Sequence, residues 1–190
     1  MYLNHDLHFA FVHIPKTGGT SVLRAIAGDS ERADHSIEGL DEAEDFLRAC
    51  FVRHPVARFI SAFRYSSDLA LRGGNYLSVR HPVRTLIVEE RLESVNNFVS
   101  RIESLGPDWL FKNLHFRPQA HWITRANPHF IGRSETLEQD FLILCSQLGI
   151  EAPKLGKHRV SKQKLKEPLG EAESNLVCEW YRDDFELLNY

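Results

Sequence analysis

No apolar run in this chain approaches the roughly 20 residues needed to cross a bilayer. The opening Met1-Tyr2-Leu3-Asn4-His5-Asp6 also lacks the pattern of a signal peptide. A cytoplasmic protein is the expectation. Cysteine is sparse: Cys50, Cys145 and Cys178 are far apart and embedded in apolar sequence. They read as buried free thiols rather than a disulfide framework or metal ligands. Neither H-E-x-x-H nor a paired Cys-x-x-Cys occurs, so no metal is expected despite ten histidines. Basic excess is missing too. The net charge is −3, whereas a general nucleic-acid binder normally carries a strong positive surplus. No internal repeat, low-complexity tract or convincing domain boundary interrupts the 190 residues. A single domain over 1–190 is expected, large enough to bury roughly 70% of its unfolded surface.

What is present begins at Phe9-Ala-Phe-Val-His-Ile-Pro-Lys-Thr-Gly-Gly-Thr-Ser21: an apolar strand, a turn with one lysine and two glycines, and a helix start. That order describes a phosphate cradle. Gly18 and Gly19 can adopt backbone angles that a Cβ resists, so successive N–H groups can converge on an anion. A helix beginning near Thr20 adds its unbonded N–H groups and the positive end of its dipole. Lys16 stands before the glycines, where its ammonium can reach a bound phosphate or sulfate. A Walker loop, G-x-x-x-x-G-K-[ST], has its lysine after them, so the usual ATP or GTP reading fits poorly.

A second strand-to-helix unit follows at Ala49-Cys-Phe-Val-Arg-His-Pro-Val-Ala-Arg-Phe-Ile-Ser61. Pro55 suits a helix's first turn, where its missing N–H costs nothing. Arg53 ends the strand, the place where open α/β sheets bind ligands, and Ser61 lies two turns along the helix. A cradle followed by this unit implies a ligand with two anionic ends.

The coarse element pattern is a strand at 8–14, a helix at 19–28, a strand at 47–53 and a helix at 56–72. A loop follows over Gly73 to Pro82, then a long helix from Val83 to Leu105 with Leu86, Leu92, Val95, Phe98, Val99 and Ile102 on its apolar side. A short strand at Phe130-Ile131, a helix from Glu135 to Leu148 closed by Gly149, a Lys-, Pro- and Gly-rich loop over 150–170 and a final helix from Glu171 to Leu188 complete it. The repeated strand-turn-helix order favours a parallel sheet with helices on its faces. With the cradle, the expected class is α/β: a P-loop-like three-layer α/β/α fold with a central parallel sheet flanked by helices.

These two motifs resemble those of the sulfotransferases that use 3'-phosphoadenosine 5'-phosphosulfate (PAPS), in particular the carbohydrate (family 2) branch. His13 to Ser21 is similar to the family's 5'-phosphosulfate loop, and Val52 to Ser61 to its 3'-phosphate motif, with arginine and serine eight positions apart. The resemblance implies that Lys16 contacts the 5'-phosphosulfate near its bridging oxygen. Thr17, Gly18, Gly19, Thr20 and Ser21 would wrap the 5'-phosphate, and Arg53 and Ser61 would hold the 3'-phosphate. His115-Phe116-Arg117-Pro118-Gln119, Phe130 to Glu135, and Tyr181 to Phe185 resemble further family segments. His54 stands where the family often has aspartate, and reads as a local cap.

The implied chemistry is transfer of a sulfuryl group from PAPS to an acceptor hydroxyl on a carbohydrate or related molecule, releasing adenosine 3',5'-bisphosphate and needing no metal. By analogy with phosphoryl transfer, positioning and charge stabilisation carry most of the catalysis, and Lys16 suits the charge that builds on the departing phosphate. Two residues compete as the base. His35, in Asp34-His35-Ser36-Ile37-Glu38, lies where the carbohydrate branch places a catalytic histidine and can accept a proton near neutral pH. Glu38 is the rival, because other branches use a glutamate in that connection. His35 is the preferred base. His13 reads as structural, whereas His115, His121 and Trp122 read equally as core or as acceptor pocket. Arg133 could approach the cofactor or pair with Glu135 or Glu138, and Lys157 to Lys162 could fold over the nucleotide. Two other classes remain open: a nucleotide-dependent kinase, which would need Mg²⁺, and a nucleotide-binding module without a base. Acceptor identity and oligomeric state stay open; the long 83–105 helix is a possible dimer surface.

Overall fold

A computed structural model describes residues 1–28, 35–71, 81–156 and 167–190. The chain divides into two compact units. One is built from the described residues of Met1–His54 and Gln119–Val160, the other from those of Pro55–Pro118 and Ser161–Tyr190.

The first unit holds a four-stranded sheet in the order β1 (Tyr2–Asn4), β2 (Phe9–Val12), β3 (Leu47–Val52), β4 (Phe130–Arg133). Strands β2, β3 and β4 are parallel, with Val12 opposite Cys50 and Val52 opposite Arg133. These three form the expected central parallel sheet, and an edge strand outside that expectation joins it: β1 pairs antiparallel to β2, Tyr2 against Phe11. Three residues are too few to show a periodic signal. What folds them back is the turn that follows, where the Leu7 N–H donates to Asn4 Oδ1 and His8 is left-handed at φ +46°. Every residue of β2 and the last four of β3 are buried, as expected of parallel strands covered on both faces. Phe9, Phe11, Ala49 and Phe51 share one face. They pack with Val22 and Leu23 of α1 (Gly19–Ala27) and with Phe141, Leu144 and Cys145 of a helix at Leu137–Gln147. On the other face Ala10 meets Ala43, in a short 3-10 helix (Leu40–Ala43), and Phe46. The α/β class with helices flanking a mostly parallel sheet is therefore what this unit shows.

The second unit is helical: α2 (Pro55–Leu71), α3 (Pro82–Glu89), α4 (Val95–Leu105), α5 (Pro107–Phe111) and, near the C-terminus, helices at Glu171–Trp180 and Arg182–Leu188. Numbered in chain order with α6 (Ala120–Ala126) and α7 (Leu137–Gln147) of the first unit, the last two are α8 and α9. Their core joins Phe59 and Phe63 of α2 to Phe98, Val99 and Ile102 of α4 and to Val177 and Tyr181. The single helix expected over 83–105 is two helices. Glu90 ends α3, Arg91 takes φ +53°, and Ser94 opens α4 by accepting N–H bonds from Asn96 and Asn97 through Oγ. Ile87 and Leu92 on either side of the break face one core with Val95, so the apolar spacing reads as unbroken. The expected final helix breaks likewise at Tyr181, whose φ of −107° and ψ of 25° leave the helical region. α5, α6 and two 3-10 turns were not anticipated; each is a turn or two long, below what periodicity resolves.

Candidate active site

The site is built where the parallel strands end. Because Val12 lies beside Cys50 and Val52 beside Arg133, β2, β3 and β4 run out at one edge of the sheet. The 13–18 loop, Arg53 and Ser134 therefore leave it together, at the carboxyl edge that open α/β sheets use for ligands.

Of the two glycines expected to take backbone angles that a Cβ resists, Gly18 alone does so. Gly18 is left-handed at φ +87° immediately before α1, and the Ser21 N–H donates to its carbonyl at 2.9 Å. Lys16 is left-handed as well, at φ +71°. A non-glycine residue there carries strain of about 1–3 kcal/mol, which persists only where the surroundings impose it and which concentrates at functional sites. Thr17 is fully buried, and its hydroxyl donates to the Ile14 carbonyl at 2.9 Å. Its hydroxyl proton thus locks the loop, so wrapping an anion falls to its main chain. Gly19 is a question of space: a Cβ there would lie 2.5 Å from Cδ2 of His13. The His13 ring occupies the room that any other residue at 19 would need. A loop of this kind, with a helix terminus behind it and a lysine beside it, can take an anion at its main-chain N–H groups.

His35 is drawn to this loop. Its Nδ1 lies 2.8 Å from the His13 carbonyl, and the two imidazole rings stand 4.6 Å apart. A carbonyl accepts only, so Nδ1 carries the hydrogen and the basic lone pair of the neutral ring is on Nε2. Trp122, buried in α6, donates its indole N–H to the His35 carbonyl at 2.9 Å. The histidine is held through its ring and through its main chain. Glu38 is exposed, and its N–H donates to Ser36 Oγ in a local turn.

At the end of β3, the Arg53 N–H donates to Gln119 Oε1 at 2.9 Å, and Gln119 Nε2 donates to the Arg53 carbonyl at 2.8 Å. The His54 N–H donates to Glu135 Oε1 at 2.9 Å. The turn is thus held by a glutamate 81 positions on. The Arg133 N–H donates to Asp140 Oδ2.

Of the residues expected at the site, Lys16, Thr17, Gly18, Gly19, Thr20, Ser21, His35 and Arg53 fall in the sheet unit, with Glu38. Ser61, half-buried in α2, belongs to the helical unit. Arg58, on the same helix, is fully buried within that unit and donates to the His115 and Arg117 carbonyls. His115 packs against Tyr65, their ring centroids 4.9 Å apart. Sequence reasoning missed Gln119 as a holder of Arg53 and Trp122 as a holder of His35. The signal for the first was the His115–Gln119 segment, which shows a resemblance but not a role. Asp34, the loop over 73–80 and the lysines of 157–162 lie outside the described residues. Among the described residues no group of three or more His, Cys, Asp or Glu is placed to hold a metal ion, and no helix is long and apolar enough to cross a membrane.

A family model described as the sulfotransferase family matches residues 1–190. No match was found among curated proteins or among solved structures.

Proposed function

Since the chain belongs to the sulfotransferase family and therefore transfers sulfuryl groups, we propose that its donor is PAPS and its acceptor a hydroxyl, on a carbohydrate or related molecule. The observation that carries the donor is the loop itself. It has left-handed backbone at Lys16 and Gly18 and no room for a side chain at Gly19, a cradle shaped for an anion at the start of α1. Lys16 and the main chain of Thr17 to Ser21 would hold the 5'-phosphosulfate, and Arg53 and Ser61 the 3'-phosphate. Bound there, PAPS supplies a sulfuryl group on a good phosphate leaving group.

The chain's own residues supply the rest. His35, with its lone pair on Nε2, takes the proton from the acceptor hydroxyl as the new O–S bond forms, and its imidazolium is steadied by the His13 carbonyl at Nδ1. The Lys16 ammonium offsets negative charge on the phosphate oxygen as its bond to sulfur breaks. Glu38 is the weaker base, because it is exposed and its turn is organised only locally.

The test is calorimetric titration with adenosine 3',5'-bisphosphate and with Mg-ATP, for wild type, Arg53→Ala and His35→Ala. We expect metal-independent bisphosphate binding that Arg53→Ala weakens roughly tenfold or more, as loss of a charged contact would. His35→Ala should bind normally and lose roughly 100-fold or more in turnover with PAPS. Preference for Mg-ATP would return the loop to a kinase, and full turnover by His35→Ala would remove the base assignment.

A further inference from the structure

Between β3 and α2 the chain runs Arg53-His54-Pro55, and the backbone ladder that fixes β3 stops one residue earlier, at Val52 opposite Arg133. From there side chains take over. One carboxamide, Gln119, satisfies both main-chain groups of Arg53, accepting at 2.9 Å and donating at 2.8 Å, and it is fully buried. It acts as a strand one residue long. Glu135 then accepts the His54 N–H at 2.9 Å, and Pro55 has no N–H to place. Among uncharged side chains only a carboxamide offers an acceptor and a donor in the pairing a peptide group presents. Glutamate lacks the donor, and asparagine is one carbon shorter.

A backbone held this way matters for what hangs from it. The Arg53 guanidinium sits at the end of a long side chain, where a small rotation of its own peptide becomes a displacement large enough to spoil a two-pronged contact with phosphate. We infer that Gln119, seconded by Glu135, is the positioning device for Arg53 and sets the site's preference for an adenine nucleotide with a 3'-phosphate over one with a 5'-phosphate alone. This rests on the PAPS reading above.

The experiment compares adenosine 3',5'-bisphosphate with adenosine 5'-phosphate by calorimetry in wild type, Gln119→Met, Glu135→Ala and Glu135→Gln. The quantity read is the ratio of their dissociation constants. Wild type should prefer the bisphosphate, and Gln119→Met should lower that preference roughly tenfold while leaving 5'-phosphate affinity unchanged. Glu135→Ala should lower it more than Glu135→Gln, which loses the same charge but keeps an acceptor for His54. If Gln119→Met shows no cooperative melt, the Glu135 pair decides alone. Equal weakening of both nucleotides, or an unchanged preference in Gln119→Met and no difference between the two Glu135 variants, would overturn the positioning role while leaving the PAPS site intact. A wild type without preference would overturn the PAPS reading and the positioning role with it.

Discussion

At position 19 the chain has space for a hydrogen atom, because a methyl group would lie 2.5 Å from Cδ2 and 3.0 Å from Nε2 of His13 and 3.3 Å from Phe11. In an ordinary first helical turn, replacing glycine by alanine is harmless or helpful. Here the His13 ring would have to swing, and it is packed against Phe11 on one side and His35 on the other. Overpacking of this kind costs about 1–3 kcal/mol, so Gly19→Ala should lower the melting temperature by roughly 3–10 °C. It should also reduce turnover more than it reduces nucleotide affinity, since the displaced ring borders the proposed base; scanning calorimetry and steady-state kinetics check the two effects. The need for glycine was legible in the sequence, because Gly-Gly between an apolar strand and a Thr-Ser helix start has few other uses. Its cause was not legible, because the clash comes from a histidine six residues back, whose ring direction depends on the folded strand. Gln119 shows the same limit more sharply: no local pattern distinguishes a glutamine that clamps a backbone 66 positions away from one that faces water.

Helices and strands were legible where they are long and buried, and illegible where tertiary packing overrides periodicity. β2, β3, α1 and α2 stand within a residue or two of their expected places, because an unbroken apolar run bounded by turn residues has one reading. The segment from 82 to 105 misleads because two helices contribute to one core, and its apolar residues keep a helical spacing across the break at Arg91. Ser94 is the switch. Its backbone is extended, and its Oγ accepts from Asn96 at 3.1 Å and from Asn97 at 3.5 Å. Removing an N-cap of this type costs about 1 kcal/mol. Ser94→Ala should therefore lower the melting temperature by about 2–4 °C, whereas Ser94→Thr, which keeps both the acceptor for the helix N–H groups and the hydroxyl that donates to Glu167 Oε1, should hold it near wild type. Thermal melts followed by circular dichroism distinguish these outcomes, and a melting temperature unchanged in Ser94→Ala would mean that α4 starts without its cap.

Across the whole chain, the C-terminal segment is tied to the helical unit by a buried polar cluster that no composition or periodicity announces. Arg58, Asp184 and Tyr181 are all fully or almost fully buried. Burial pushes the Arg58 guanidinium below its usual range, while negative charge at Tyr181 or Asp184 would oppose that; burial also pushes the Tyr181 phenol up. At ordinary pH the phenol is thus neutral, and the working counter-charge is Asp184. The pegs all reach one stretch of chain: Arg58 Nη2 donates to the carbonyls of His115 and Arg117, at 3.3 and 2.7 Å, and the Tyr181 hydroxyl donates to that of Phe116. Residues 115–117 are the start of the segment that ends in Gln119, so the resemblance seen there in the sequence has a structural content of its own. Arg58→Met fills the volume but leaves two carbonyls and a buried carboxylate without their cation, and breaking a buried charge pair in this way costs about 3–5 kcal/mol. The expected fall in melting temperature is roughly 6–20 °C. Arg58→Met combined with Asp184→Asn should recover part of that loss, because no uncompensated charge is then buried. A double variant no more stable than Arg58→Met would show that the guanidinium serves the 115–117 carbonyls alone, and that Asp184 is stabilised by other neighbours.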